Sequence, residues 1–168
     1  NENLKALELH LSIQNIGIIF KETQNLLLPK LEKLKLNFLD CENFDTEAAK
    51  RIAEFFRTHH FIKELSLENE KSHSDLNAIL FKDGLTSLKS LDKLALKYRW
   101  PQAGGPQRKK FMHLQDVFTS LENLTAVDLD INSDVLESAE LNPILEGFLK
   151  LKKLEKFKLA VKLAPLSQ

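Results

Sequence analysis

Residues 31–36 read LEKLKL, with leucines at the first, fourth and sixth positions and charged residues between them. The same L-x-x-L-x-L spacing, with Ile, Val or Phe allowed in place of Leu, occurs six times along the 168-residue chain. Its starting positions are Leu4, Leu31, Ile62, Leu91, Leu124 and Leu154. Successive starts lie 27, 31, 29, 33 and 30 residues apart, a period typical of one supersecondary unit repeated along a chain.

Within each unit the hydrophobic period changes from two to about 3.6 residues. Leu34, Leu36 and Phe38 alternate with polar residues, which predicts a strand with one buried face. The second half of a unit instead has the spacing of an amphipathic helix, and the clearest such stripe is Phe111, Leu114, Val117, Phe118 and Leu121. Each unit is therefore predicted to be a strand followed by a helix.

Helices are predicted in three further units. Asp45-Thr46 is a plausible start for the helix of the second unit. In the third unit, Leu76, Ile79 and Leu80 have helical spacing. In the fifth unit, Asn142-Pro143 predicts an N-cap followed by proline at the first helical position.

Repeated strand–helix units of this kind restrict the architecture. Strands that run the same way and are joined by crossover helices form a parallel sheet. No single unit can bury its own apolar face, whereas stacked units share a continuous core. We therefore expect an α/β solenoid of about six strands, with a curved parallel sheet on the concave side and helices on the convex side.

These repeats resemble the leucine-rich repeat family, and their helical second halves and period are most similar to the ribonuclease-inhibitor-like subtype. The resemblance extends from Leu4 to about Leu163. It implies the same α/β solenoid fold and a role in binding. The Asn or Cys that the family carries at the ninth repeat position is matched only by Asn132, so we expect strands that run longer than usual and turn later.

Composition bounds the function classes. The chain has 24 Lys+Arg and 24 Asp+Glu, and zero net charge argues against a dedicated nucleic-acid binder. No apolar run is long enough to span a membrane. A single cysteine, Cys41, excludes an internal disulfide framework and favours an intracellular, cytoplasmic setting. We expect one domain over residues 1–168, as a fragment of a longer solenoid, because the chain begins and ends in strands.

The residues between the inward leucines are predicted to face the concave side, where their charges alternate in sign from strand to strand. The successive pairs are Lys33 and Lys35, Glu64 and Glu68, Lys93 and Lys97, Asp128 and Asp130, and Lys156 and Lys158. One interpretation is a self-neutralising ladder of exposed ion pairs, each worth about 0–1 kcal/mol. The other is a striped surface that matches the charges of a partner.

Residues 97–110 interrupt the repeat pattern as a basic aromatic insertion. This segment contains the only tryptophan, Trp100, and the only tyrosine, Tyr98, with five positive charges and no negative one. Trp, Tyr and Arg often dominate the energetics of interfaces, so the segment is a candidate contact at the rim. The alternative is that Tyr98 belongs to the core and that Gly104-Gly105-Pro106 is a flexible linker.

Catalytic and metal-binding constellations are not recognised in the sequence. Asp128-x-Asp130-x-Asn132 imitates part of a calcium loop but lacks the expected glycine and the final glutamate. The histidines have no partner at ligand or catalytic spacing, and the adjacent His59 and His60 are predicted at the surface. We therefore predict no enzyme activity, no cofactor and no metal.

The sequence favours a non-catalytic protein–protein interaction module that holds a protein partner on its concave face and on the 97–110 rim. The predicted partner-binding residues are Lys97, Arg99, Trp100, Arg108, Lys109, Lys110, Glu68 and Asp130. Nucleic acid is the less favoured partner and no membrane is expected. The alternative is a structural scaffold subunit whose solenoid ends are buried by neighbours in a larger complex.

Overall fold

The computed structural model describes residues 2–23, 28–38, 46–69, 80–100, 112–133 and 138–163. Six strands lie in these ranges: β1 (Ala6–Leu11), β2 (Lys33–Phe38), β3 (Glu64–Asn69), β4 (Lys93–Trp100), β5 (Ala126–Ser133) and β6 (Lys156–Leu163). The α-helices of the same ranges are α1 (Ile13–Thr23), α2 (Thr46–Thr58), α3 (Met112–Ser120) and α4 (Ser138–Phe148). A π-helical turn (Leu80–Gly84) and a 3₁₀ turn (Leu85–Ser87) precede β4.

The strands form one sheet in which each strand pairs with the next along the chain, and every pairing is parallel. The register follows the repeat, so that Leu34 lies beside Leu65 and Leu36 beside Leu67. The α/β class, the six strands and their sequential parallel order are confirmed. The repeated leucines fix the register because a shift by one residue would turn every buried side chain to the other face.

The core lies between the sheet and the helical segments. Leu36 and Leu67 on the strands and Ile52 and Phe56 on α2 are fully buried in one continuous cluster. Of the stripe predicted for helix α3, Leu114, Val117 and Phe118 are buried on the helix and Leu121 is buried directly after it, while Phe111 lies outside the described residues. Because each segment contributes to the same cluster, the units stabilise one another rather than fold around separate cores.

The third unit is helical over a shorter stretch than its neighbours in the described residues. The predicted stripe member Leu80 starts the π-helical turn, while Leu76 and Ile79 lie outside the described residues. Gly84 ends this turn against α2, where an added Cβ would lie 3.1 Å from Phe56 Cδ2 and 3.2 Å from Ala53 Cα. Glycine is therefore favoured here, because the turn approaches α2 closely and a larger residue would need its neighbours to shift.

The predicted start of the last helix is wrong. Helix α4 begins at Ser138, and Pro143 lies inside it rather than at its first position. Ile144 is fully buried, and Leu141 and Phe148 pack against the core on either side of the proline. Burial of this stripe outweighs the loss of one backbone hydrogen bond at Pro143, whose interior position in a helix is ordinarily unfavourable by about 3 kcal/mol.

Two predictions about single residues have opposite outcomes. Tyr98 belongs to the core: it is 3% exposed, its ring centroid lies 5.4 Å from that of Phe81, and burial raises its pKa. The prediction that His59 lies at the surface is wrong, because only 1% of it is exposed. Its ring stacks on Phe55, with a centroid separation of 4.1 Å, and both ring nitrogens contact backbone groups.

Candidate functional site

The candidate site is the face of the sheet opposite the helices, which we call the open face. It consists of the first, third and fifth side chains of each strand, aligned in three rows by the strand register. The rows are Ala6, Lys33, Glu64, Lys93, Ala126 and Lys156; Glu8, Lys35, Ser66, Ala95, Asp128 and Lys158; and His10, Asn37, Glu68, Lys97, Asp130 and Ala160. The predicted alternation of charge between neighbouring strands is thus present in three dimensions.

A hollow of about 700 Å³ occupies the amino-terminal half of this face. It is lined by the first three residues of all six strands, so its floor is made of regular sheet rather than of loops. The charged lining residues are Lys33, Lys35, Lys93, Lys156, Lys158, Glu8, Glu64 and Asp128. Five lysines against three carboxylates give the hollow a net positive charge within a chain that is neutral as a whole.

Glu64 is the centre of the first row. Its two carboxylate oxygens lie 2.9 Å from Lys93 Nζ and 3.1 Å from Lys33 Nζ, so one carboxylate joins β2, β3 and β4. The hydrogen bonds from Lys93 and then from Lys33 hold the pKa of Glu64 below its ordinary value. The pKa of Lys93 is correspondingly raised by its hydrogen bond to Glu64.

A second cluster joins β1 and β2. Lys35 Nζ lies 2.8 Å from Glu8 Oε1, and Asn37 Nδ2 donates to the same oxygen at 3.2 Å. His10 Nε2 lies 3.4 Å from that oxygen, and Asn37 is 6% exposed. The hydrogen bond from Lys35 lowers the pKa of Glu8. Charged groups on this face are thus held by neighbours, which fixes their positions before any partner arrives.

The predicted binding residues have three different outcomes. Glu68, Lys97 and Asp130 lie side by side on β3, β4 and β5, and Lys97 Nζ contacts Glu68 Oε1 directly. Arg99 and Trp100 are the last residues of β4, aligned with Asn132 and Ser133 of β5, so the segment 97–110 begins within the sheet. Arg108, Lys109 and Lys110 lie outside the described residues.

The lysines of the hollow belong to the predicted charge ladder, but none of them is among the predicted partner-binding residues. The signal was available, since Lys33, Lys93 and Lys156 occupy the same position of their repeats. Most of the predicted partner-binding residues instead lie in the segment 97–110, which contains the rare residue types. Counting the sign of charge along each row, rather than along each strand, would have identified the basic hollow.

We expect the ion pairs of Glu64 to make stability sensitive to acid. Because its pKa in the folded chain is lowered from 4.5, its contribution is present above that value and is lost as the pH falls below it. A Glu64→Gln variant should therefore lose less stability than the parent chain between neutral and acid pH. The difference should be below about 2 kcal/mol, since exposed ion pairs are worth about 0–1 kcal/mol each.

Urea titrations of both chains at pH 7 and at pH 3 measure this difference. Glu54→Gln is a matched control, because Glu54 pairs with Arg57 on the exposed side of α2 at 2.8 Å and not on the open face. A Glu64→Gln variant as acid-sensitive as the parent chain would contradict the prediction.

Asp128 and Asp130 lie on β5, both on the open face, and not in a calcium-binding loop. In the described ranges, no group of three His, Cys, Asp or Glu side chains is arranged to hold a metal ion. Asp128 instead pairs with Lys158 Nζ at 3.1 Å. Its carboxylate is therefore part of the second row of the open face, where it pairs with a lysine of the next strand.

No helix within the described ranges combines the length and the apolar character needed to cross a bilayer. Comparison with protein-family models, with curated proteins and with solved structures finds no match to this chain.

Proposed function

We propose that this chain is a leucine-rich repeat solenoid of the ribonuclease-inhibitor-like kind that acts as a non-catalytic protein-binding module. The family assignment rests on six L-x-x-L-x-L repeats with a period near 30 residues. A sheet whose strands pair in sequential parallel order supports it, because stacked strand–helix repeats produce that order. A single cysteine supports an intracellular, cytoplasmic setting.

The observation that carries the binding function is the hollow on the open face. All six strands contribute to it, and exposed side chains such as Lys93 and Lys158 project from regular strands whose backbone is already ordered. A surface of this kind loses little conformational entropy when it binds. The module therefore holds its partner across the strands, as one extended contact.

The excess of lysines in the hollow supports an acidic partner. A protein segment with a net negative charge complements the excess of two positive charges in the hollow, and charge complementarity speeds encounter and sets specificity. Glu64 and Asp128 interrupt the positive charge, which disfavours a continuous phosphate backbone. The segment 97–110, with Arg99, Trp100, Arg108, Lys109 and Lys110, extends the contact at the rim.

Affinity capture from extract of the cells that express the protein, with and without nuclease, tests this function. The open-face bait carries Lys33→Gln and Lys93→Gln, and its matched control carries Lys50→Gln and Lys150→Gln, which remove the same charge from exposed positions elsewhere. A third bait, the rim variant, carries Trp100→Ala with Arg108, Lys109 and Lys110 changed to Glu.

We expect a nuclease-resistant protein that binds the parent chain and the control bait alike. Its affinity should fall about tenfold or more with the open-face bait, because two charge contacts are lost at once. If the rim variant also fails to capture this protein, the contact extends to the rim. Equal capture by the open-face bait and its control would overturn the proposal that the open face is the binding surface.

The second candidate function is a structural subunit of a larger assembly. It is favoured by the apolar side chains at the β6 end of the molecule, where Leu149 is 87% exposed and Phe157 is 45% exposed. A Leu149→Glu bait should then lose partners that the open-face bait keeps. Such a result would indicate that neighbours bind the ends and not the hollow.

A further inference from the structure

The first row of the open face alternates in charge at the spacing of the strands. On the neighbouring strands β2, β3 and β4 it consists of Lys33, Glu64 and Lys93, which are aligned by the register. Neighbouring strands of a sheet lie about 4.8 Å apart, so the two lysines start about 9.6 Å apart with a carboxylate halfway between them. Each of these strands is paired on both sides, so the pattern belongs to the interior of the sheet.

The two lysines of this pattern can bind a further carboxylate. Their side chains are 59% exposed at Lys33 and 53% exposed at Lys93, although both contact Glu64. A lysine ammonium group has three N–H donors, and the contact with Glu64 occupies one of them on each lysine. The other donors can therefore bind an acidic side chain that approaches from the solvent side of the sheet.

The surface beside this pattern leaves room for the backbone of a partner. Ser66 of β3 lies beside Ala95 of β4. Ala126 of β5 lies beside Lys93, and these three short side chains line the hollow of about 700 Å³ between the longer charged ones. An α-helix is about 10–12 Å wide with its side chains. A helix lying across the strands can thus bring its side chains down to the first row.

Backbone geometry determines which kind of segment matches the spacing of the row. In an α-helix, residues i, i+3 and i+7 share one side, and the second and third lie about 4.5 and 10.5 Å along the axis from the first. An extended strand presents one face only every 6.8 Å or so, which does not match the strand spacing. A polyproline II segment repeats about every 9.3 Å, so it reaches both lysines but places no side chain over Glu64. The helix is the backbone that contacts all three positions.

We propose that the open face binds an α-helix of its protein partner across the strands, with acidic residues at i and i+7 over Lys33 and Lys93 and a basic residue at i+3 over Glu64. This inference rests on the proposed function, because it specifies the segment that the hollow binds. A third acidic residue at i+14 lies about 21 Å from the first, close to the spacing of about 19 Å between the strands of Lys33 and Lys156. Glu64 thereby favours a helix of alternating charge over a uniformly acidic segment.

Synthetic helical peptides test the spacing by fluorescence anisotropy with the parent chain. The matched peptide is alanine-rich and carries glutamate at i, i+7 and i+14 and lysine at i+3. The shifted peptide has the same composition, but its glutamates lie at i, i+5 and i+10, on different sides of the helix. Circular dichroism verifies that the two peptides are equally helical. We expect the matched peptide to bind about tenfold more tightly, because only it contacts both lysines at once.

A change at Glu64 tests the central contact. Replacing the peptide lysine at i+3 by glutamate should weaken binding to the parent chain about threefold or more, although it makes the peptide more acidic. The same replacement should strengthen binding to a Glu64→Lys variant and lose its effect with Glu64→Gln. Glu54→Lys on the exposed side of α2 is the matched control and should behave as the parent chain. Circular dichroism and thermal unfolding verify that the variants are folded.

The outcomes separate this inference from the proposed function. Equal affinities for the matched and shifted peptides, both lost in the Lys33→Gln and Lys93→Gln variant, would overturn the helix but leave the hollow as a binding site for acidic protein. Tighter binding of the parent chain to the peptide with glutamate at i+3 would also overturn the helix, as would the absence of binding by every peptide at millimolar concentration. The proposed function fails by a different result, which is equal capture from extract by the open-face bait and its control.

Discussion

Replacing Phe56 by alanine is expected to lower the free energy of unfolding by about 3–5 kcal/mol. Phe56 lies on α2 and is fully buried between the sheet and the π-helical turn of the third unit. Removal of the ring leaves a cavity that α2 cannot close, since Ile52 and Ala53 on the same helix are already packed. Urea unfolding followed by circular dichroism measures the loss.

Ile18→Ala is the matched control for this prediction. Ile18 is also a large apolar residue on a helix, but it is 65% exposed, so its truncation should change stability by about 0.5 kcal/mol or less. Comparable losses in the two variants would contradict the placement of Phe56 in the core.

A second substitution, at Gly84, tests whether the Phe56 ring fills the space beside the π-helical turn. In the parent chain, Gly84→Ala introduces a methyl group 3.1 Å from Phe56 Cδ2 and should cost about 1–3 kcal/mol through overpacking. In the Phe56→Ala background that methyl group can enter the cavity, so the second change should cost less. We expect the two losses to fall short of additivity by about 1 kcal/mol or more. Strict additivity would show that the two side chains do not share this space.

The sheet could be predicted from the sequence because its register has a single dominant cause. Leu34, Leu65 and Leu94 occupy equivalent repeat positions, and burying all of them on one face requires the strands to align as they do. The open face follows from the same alignment, since the residues between buried leucines must face the other way. This is why its rows can be predicted from the sequence.

Other features depend on contacts that local rules do not contain. The position of Pro143 predicts a helix start, but α4 extends to both sides of it, where Leu141 packs against the core and Ile144 is buried. The third unit contains a π-helical turn whose last residue, Gly84, lies close to Ala53, a contact between distant parts of the chain. The net charge of the hollow is not evident from the predicted alternation, because that alternation compares one strand with the next whereas the net charge belongs to rows that cross all six strands.

His59 is expected to be essential for stability, although its sequence context is that of a surface turn. His59→Ala should lower the free energy of unfolding by about 3 kcal/mol or more, through loss of a buried ring and of two buried hydrogen bonds. Nδ1 lies 2.9 Å from the Phe55 carbonyl oxygen, so it is the protonated nitrogen and donates to that oxygen. Nε2 then accepts from the backbone N–H of Leu28 at 3.3 Å.

His60→Ala is the control, because His60 is adjacent in sequence but exposed, and its loss should change stability by about 0.5 kcal/mol or less. His59→Phe separates the contribution of ring packing from the contribution of the hydrogen bonds. Phenylalanine retains the stacking on Phe55, whose centroid lies 4.1 Å away, but cannot accept the hydrogen bond from Leu28. An unpaired buried N–H costs about 1–3 kcal/mol, so this variant should be intermediate in stability.

Hydrogen exchange at the Leu28 amide shows whether the His59 variants lose stability because the hydrogen bond to Leu28 is lost. Leu28 precedes β2 and is buried, so in the parent chain its N–H should be protected by the bond to His59, 31 residues away. Both His59 variants should accelerate exchange at this amide more than at amides in the centre of the sheet. Uniform acceleration would mean that His59 contributes only volume. Local acceleration would establish that one imidazole joins the end of α2 to the preceding unit, a bond that the repeat pattern alone does not encode.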